Sequence, residues 1–206
     1  APAPPPARAD RRLSQLAPML RALQQRGRAR IGYWTDAEAG LALGHCRAPT
    51  DTPLQPLSSD CGRYVLCLDG RLYNRGDLQA QLRDLPRSCS DARLLLQAIV
   101  EWGVERALSR IEGAFGFSVW DRESRELWLV RDPVGERPLY YGWDQGQFLF
   151  ASELKALQAF AGFAPSIDQD ALSLLLRHDY VPAPHTIYRG IHKLVAGGML
   201  RIDLND

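Results

Sequence analysis

The residues best equipped for covalent chemistry are four cysteines, Cys46, Cys61, Cys67 and Cys89, and four histidines. A thiol becomes a nucleophile when a base lies within hydrogen-bond reach or when nearby positive charge lowers its pKa. No CxxC pair occurs, and no histidine stands at a ligand spacing from another, so no metal site is expected. His45 and Cys46 are adjacent, but neighbours in a strand point to opposite faces. Nothing in the sequence places a histidine as base for any of these thiols. Their types and spacing support four reduced cysteines that behave as small buried hydrophobes, in a cytoplasmic protein.

Any site must be held by what surrounds it, and 206 residues suffice for one domain with a proper core. A hydrophobic fraction of 46% and a charged fraction of 24% are ordinary for a soluble globular protein. Lys and Arg total 25 against 24 acids, a net charge of +1, which argues for neither nucleic acid nor an anionic membrane surface as partner. No apolar run approaches the roughly 20 residues of a membrane span. Arg8, Arg11 and Arg12 are not followed by an apolar segment of the secretory kind. Residues 1–12 (APAPPPARADRR) predict a flexible Pro/Ala/Arg-rich tail ahead of one domain over 13–206.

Within that domain, Leu13 to Gln25 predicts a helix bent or limited by Pro18, with Gly27 as its stop. Short apolar runs at Ile31–Thr35, Leu41–Arg47 and Tyr64–Leu68 predict strands between Gly and Pro punctuation. Asp77–Arg83 predicts a short helix. Ser90 can cap a longer one from Asp91, with Leu95, Ile99 and Trp102 on one face and a continuation at Val104, Leu108 and Ile111. Strands are expected again around Phe115–Val119, Leu127–Val130, Leu139–Trp143 and Phe148–Ala151. Ala171, Leu172, Leu175 and Leu176 stripe a helix over Asp168–Arg177, and Lys193–Ile202 predicts a terminal hairpin or strand. Local residues explain other features. Arg131-Asp132 before Pro133 predicts a turn with a structural salt bridge, and Tyr73-Asn74 a packing and capping pair. The aromatics at 140, 141, 148 and 150 predict core-strand material. Two helix-covered sheets fit this order, but periodicity does not select one layered solution.

Six segments, in order, resemble one family. GLALGHCR (40–47), Gln55-Pro56, DGRLYNR (69–75), SCSDARLLLQAI (88–99), RDPVGERPLYY (131–141) and FASELKAL (150–157) are similar to motifs of a glutamine amidotransferase domain. It is the class II type that forms half of glutamine-dependent asparagine synthetases. The resemblance runs from near Met19 almost to the end of the sequence and is weakest over its first 30 residues. It implies an α+β fold, the four-layer α/β/β/α sandwich of N-terminal-nucleophile hydrolases. It also implies hydrolysis of glutamine, with the ammonia passed to a synthetase half that activates a carboxylate with ATP. No SGGxDS pyrophosphate loop of that half occurs here, so no cofactor is expected in this chain, and ATP and Mg are expected only in a synthetase module.

The family's nucleophile is a cysteine at residue 1 whose own α-amine takes the thiol proton. This sequence has Ala1 and Pro2 there. The family's oxyanion donor is the Asn of an NGE motif, where loss of such a donor costs about 3 kcal/mol. Here the position is Asp69, with Gly70 retained, and an ionised carboxylate only accepts hydrogen bonds. Arg71 replaces the motif's Glu, which holds the substrate ammonium. Arg47 matches the arginine that grips the glutamine carboxylate, and Asp91 the aspartate that helps hold the ammonium. By residue type alone, Arg47 reads as a solvated strand-end charge and Asp91 as an acid suited to a helix N-terminus.

Three readings follow. The first is a degenerate, glutaminase-inactive domain that serves a synthetase module as structural partner, as would suit relatives like β-lactam synthetases and lasso-peptide cyclases that need no glutamine. The second is an active ammonia-supplying domain whose first strand and cysteine are missing from the sequence. The third is a non-catalytic scaffold that binds glutamine or another amino acid weakly through Arg47, Gly70 and Asp91. The docking surface for the synthetase module, fused or separate, is expected at 178–194, where Tyr180, Val181, Pro182, Ile187 and Tyr188 concentrate apolar character.

Overall fold

The computed structural model describes residues 8–24, 30–47, 53–83, 85–86 and 88–205. Its helices are α1 (Arg8–Leu23), α2 (Arg75–Gln81), α3 (Asp91–Trp102), α4 (Val104–Leu108), α5 (Leu154–Gln158) and α6 (Gln169–His178). Its strands are β1 (Arg30–Asp36), β2 (Leu41–Arg47), β3 (Leu57–Ser58), β4 (Tyr64–Leu72) and β5 (Gly113–Asp121). They continue as β6 (Glu126–Arg131), β7 (Tyr140–Asp144), β8 (Gln147–Ala151), β9 (Ile191–Lys193) and β10 (Met199–Asp203).

Period-two alternation along β4, β5 and β6 builds two apolar layers at once. Tyr64, Leu66, Leu68, Phe115, Phe117, Val119, Trp128 and Val130 face one side, where Leu94, Leu95 and Ile99 of α3 join them. Val65, Trp120, Leu127 and Leu129 face the other, packing against Leu43 of β2 and Tyr141, Phe148 and Phe150 of β7 and β8. Strands buried on both faces are apolar at nearly every position, as in β5. The central sheet is antiparallel in the order β10-β6-β5-β4-β3. Over its second face lie the β1–β2 pair and a three-stranded sheet of order β8-β7-β9. Outermost are α1 and α5. Met19 of α1 joins Leu149 and Ala151 of β8 and Ala156 and Leu157 of α5, and Gly44 of β2 sits directly under Leu16 and Leu20. The result is the expected α+β, four-layer order of helices, sheet, sheet and helices.

Local chemistry sets the ends of elements. Ser90 caps α3 by accepting the Arg93 N–H, and Gly103 ends the helix at φ 80. Asp168 caps α6 by accepting from Asp170 and Ala171. Helix α1 contains Pro18 without stopping there. It begins at Arg8, so residues 8–12, expected as part of the tail, are helical; the Ala and Arg types of this stretch are good helix formers, and prolines are tolerated ahead of a first turn. Residues 1–7, Gly27 and Asp206 lie outside the described residues.

Three other expectations are corrected. The terminal segment forms the strand that the sequence allowed, β10, and not a hairpin: β9 pairs with β7 and β10 with β6, so the chain crosses between sheets through Gly197 and Gly198. Arg131 and Asp132 form no salt bridge with each other, because each is saturated by backbone groups. Tyr73 is exposed rather than packed, and Asn74 gives α2 no side-chain cap. Its amide instead clamps the loop before β5, donating to the Arg110 carbonyl and accepting the Glu112 N–H. No helix among the described residues is long and apolar enough to cross a membrane.

Candidate functional site

Between the two sheets lies a cavity of about 760 Å³, reached by α1, β2, β4, β5, β8 and the turn after β6. Alternation along β4 decides which side chains enter it. Val65 faces the space between the sheets, so Cys67, Asp69 and Arg71 point the same way, and the last three line the cavity. Arg47, at the end of β2, lines it too.

Gly70 sits among them at φ 142, and a Cβ there would run into the Ala114 carbonyl oxygen and the Phe115 Cα across the ladder. Only glycine lets β4 and β5 approach so closely at this point. The position is thus fixed by backbone geometry, which keeps Asp69 and Arg71 on the cavity wall.

A second device aims Arg137 at the same wall. The Asp132 carboxylate is fully buried. Its Oδ1 accepts the N–H groups of Val134, Gly135 and Glu136 at 3.1, 2.6 and 3.0 Å. Its Oδ2 accepts the N–H of Arg137 at 3.0 Å. Burial pushes this carboxyl up, but the four amides outweigh it and hold it below the usual carboxylate range. The neighbouring Arg131 guanidinium donates to the carbonyls of Arg137, Leu194 and Gly135 at 2.8, 2.6 and 2.5 Å. The turn so clamped presents the Arg137 guanidinium 3.7 Å from the Asp69 carboxylate.

Gln55 performs a similar task from the other end. Buried to 1% exposure, it accepts the Leu68 N–H at 2.6 Å and donates to the Leu68 carbonyl at 3.0 Å. One side-chain amide thereby takes the place of a neighbouring strand beside β4. The same carbonyl lies 3.1 Å from His45 Nε2. Sequence resemblance marked Gln55-Pro56 without a role; the role is to register β4 where it enters the cavity.

Asp91 lies elsewhere. Its Oδ2 accepts the Leu72 N–H at 3.1 Å, and its Oδ1 forms an ion pair with Arg75. Arg75 also donates to the Cys89 carbonyl. Asp91 is absent from the cavity lining, so Arg47, Asp69, Gly70 and Arg71 come together and Asp91 does not join them. Arg137 was not singled out from the sequence, although it lies within the RDPVGERPLYY motif; its basic type in that motif was the available signal.

The thiols divide by place. Cys46 and Cys67 line the cavity. Burial pushes the Cys46 thiol up and the Cys67 thiol up to about 12, so neither is a thiolate near neutral pH. Cys61 is exposed and borders a separate cavity of about 360 Å³ with Arg63, Trp120 and Glu123. Hydrogen bonds from the Ser59 hydroxyl and the Arg63 N–H lower its pKa. The thiol held below its ordinary pKa thus borders this second cavity and not the first. No three His, Cys, Asp or Glu side chains gather as metal ligands among the described residues.

Comparison with known proteins agrees with this architecture. A Mycobacterium tuberculosis protein described as a glutamine-hydrolyzing asparagine synthetase is 34% identical over 208 residues, covering 92% of this chain and 31% of the relative. Asparagine synthetase [glutamine-hydrolyzing] 1 of Bacillus subtilis is 30% identical over 188 residues, covering 89% of this chain and 29% of its own length. The chain thus spans under a third of these relatives. Among solved structures, the glutamine phosphoribosylpyrophosphate amidotransferase of B. subtilis superposes with a TM-score of 0.52 at 23% identity, covering 80% of this chain and 35% of that one; the likeness is one of fold. The model of the glutamine amidotransferase domain matches residues 6–206, and the chain belongs to that family.

Proposed function

We propose that this domain no longer releases ammonia from glutamine, and that it serves an ATP-dependent, asparagine-synthetase-like amide-forming system as the structural partner of its synthetase module. The carrying observation is the chemistry of the cavity wall. Attack on an amide needs a thiolate and a donor for the developing oxyanion. The cavity thiols Cys46 and Cys67 are held protonated by burial. At the glycine-fixed bend of β4, Asp69 offers an acceptor-only carboxylate. ATP and Mg²⁺ belong to the synthetase module in this reading, and the four free thiols suit a cytoplasmic setting.

The partner surface in this reading centres on α6 and the residues that follow it. Leu172, Leu175, Leu176 and Tyr180 are 40, 36, 79 and 62% exposed, a run of apolar side chains that face solvent in part or in most of their area. The rest of segment 178–194 is less available. Thr186 and Ile191 are buried, and Tyr188 meets Phe163 edge to face. The docking surface thus shifts toward the helix relative to the sequence expectation, keeping Tyr180.

The test is glutamate release from glutamine by the 206-residue chain. No release above the uncatalysed rate is expected. Turnover abolished by thiol alkylation would overturn the reading, because it would require a working nucleophile in or near the cavity. For the partner, Leu176→Asp is expected to abolish co-purification with the synthetase module at micromolar concentration; undiminished co-purification would remove α6 from the interface.

A further inference from the structure

We propose that the cavity is a binding site for a small carboxylic acid that carries no free amine. This rests on the reading of the cavity as a pocket without turnover. Its lining holds the arginines Arg12, Arg47, Arg71 and Arg137 but only two acids, Asp69 and Glu153. Neither acid is available to a cation. Glu153 lies 3.0 Å from the Lys155 ammonium, and Asp69 faces Arg137 at 3.7 Å. The Arg71 guanidinium makes no hydrogen bond or ion pair among the described residues, and Arg47 adds a second guanidinium to the same wall. Arginine presents a planar fork that matches a carboxylate with two parallel hydrogen bonds.

The opposite charge has been withdrawn. Asp91 keeps one oxygen on the Leu72 N–H and the other on Arg75, and both partners lie away from the cavity. Leu72 belongs to the apolar layer shared with α3, behind the central sheet. An ammonium entering the cavity therefore meets guanidinium groups and two carboxylates already paired with cations. A carboxylate entering it meets arginines in a partly enclosed space, where screening by water is weaker than on an open surface.

Much of the remaining lining is apolar, with Leu16, Met19 and Leu20 of α1 and Phe148 and Leu149 of β8, beside polar residues such as Gln15, His45 and Ser118. A volume of about 760 Å³ accommodates a hydrocarbon chain behind the carboxylate. The favoured ligand is thus an acid with an uncharged body: a deaminated or N-acylated amino acid.

Glutaramic acid isolates the point, since it is glutamine with the α-amine replaced by hydrogen. Titration calorimetry of the 206-residue chain is expected to show glutaramate binding at least about tenfold tighter than glutamine, the order of one charge-assisted contact. Affinity should fall with added NaCl. Arg71→Gln should weaken glutaramate by a similar factor, and Arg71→Glu should reverse the preference in favour of glutamine. Residue 71 is exposed, so both variants should fold, and thermal melting checks this. Equal or tighter binding of glutamine by the unmodified chain overturns the proposal, as does absence of binding by both acids. Inorganic phosphate competing as well as glutaramate also overturns it, since the apolar body would then play no part. Glutamine bound best but never hydrolysed refutes this inference while the proposed function stands. Measured hydrolysis refutes the proposed function, with glutaramate still reporting the preference.

Discussion

Replacing Asp132 by asparagine tests whether the clamped turn holds the cavity wall in place. The side chain keeps its size, but one carboxylate oxygen becomes an NH₂ group. If nitrogen takes the Oδ2 position, it faces the Arg137 N–H that now donates to that oxygen at 3.0 Å. An orphaned buried donor costs about 1–3 kcal/mol. The three bonds to Oδ1 survive but lose their charge assistance, which roughly halves each. Against this stands relief of the desolvation of a fully buried charge, which also raises the carboxyl pKa. The net expectation is a loss of about 3 kcal/mol, or roughly 6–12 °C in Tm for a domain of this size. Chemical and thermal denaturation read it directly. The pH dependence is the sharper measure. A carboxyl held below its unfolded value stabilises the fold above about pH 4, and loses that contribution as pH falls through the folded-state value. The gap between unmodified chain and Asp132→Asn should therefore be full at pH 7 and narrow steadily below pH 4. A variant within 0.5 kcal/mol of the unmodified chain, or a gap independent of pH down to 2, would refute the assignment. Because the same turn aims Arg137, glutaramate affinity should drop in parallel.

Other consequences are testable separately. Cys61 should be alkylated first by iodoacetamide at neutral pH, with Cys67 protected until unfolding; peptide mapping that finds Cys67 or Cys46 modified first would contradict the burial argument. Gly70→Ala should destabilise by more than the roughly 1–3 kcal/mol of a strained backbone position, since its Cβ also meets the Ala114 carbonyl; a shift in denaturation midpoint below 1 kcal/mol would mean β4 and β5 can part there. Asp69→Asn removes a half-exposed pair with Arg137, so stability should change by less than about 1 kcal/mol while glutaramate binds more tightly; weaker binding would show that Asp69 orients Arg137 productively.

How much of this was legible follows from the range of each interaction. Ser90 announced its helix because a cap speaks to an amide three residues on, and β2 was readable from its own apolar run between turns. Asp91 was readable only as an acid at the start of a helix. Its partners, Leu72 and Arg75, come from the preceding strand and helix, and no local pattern records them. Lys193–Ile202 shows the same limit. Gly197 and Gly198 signal a reversal, yet whether the next strand returns to β7 or crosses to β6 depends on which sheet edge is open. Gln55 stood out only by resemblance and Asp132 only as part of a charged turn before Pro133, because a side chain that substitutes for backbone partners has no periodicity.

The cavity joins these two classes of information. Its frame is local: Gly70 permits the close approach, and alternation puts Asp69 and Arg71 on one wall. Its charge balance is not local, since it depends on Asp91 turning away to α2 and on the Asp132 turn delivering Arg137 from 68 residues along the chain. The family resemblance therefore implied an amino-acid grip built from Arg47 and Asp91, which the residue types alone did not suggest. Folding separates that pair and assembles arginines instead. In the proposed reading, such a site keeps its frame while its charges are redistributed, so the fold persists for a partner without the demands of ammonia release.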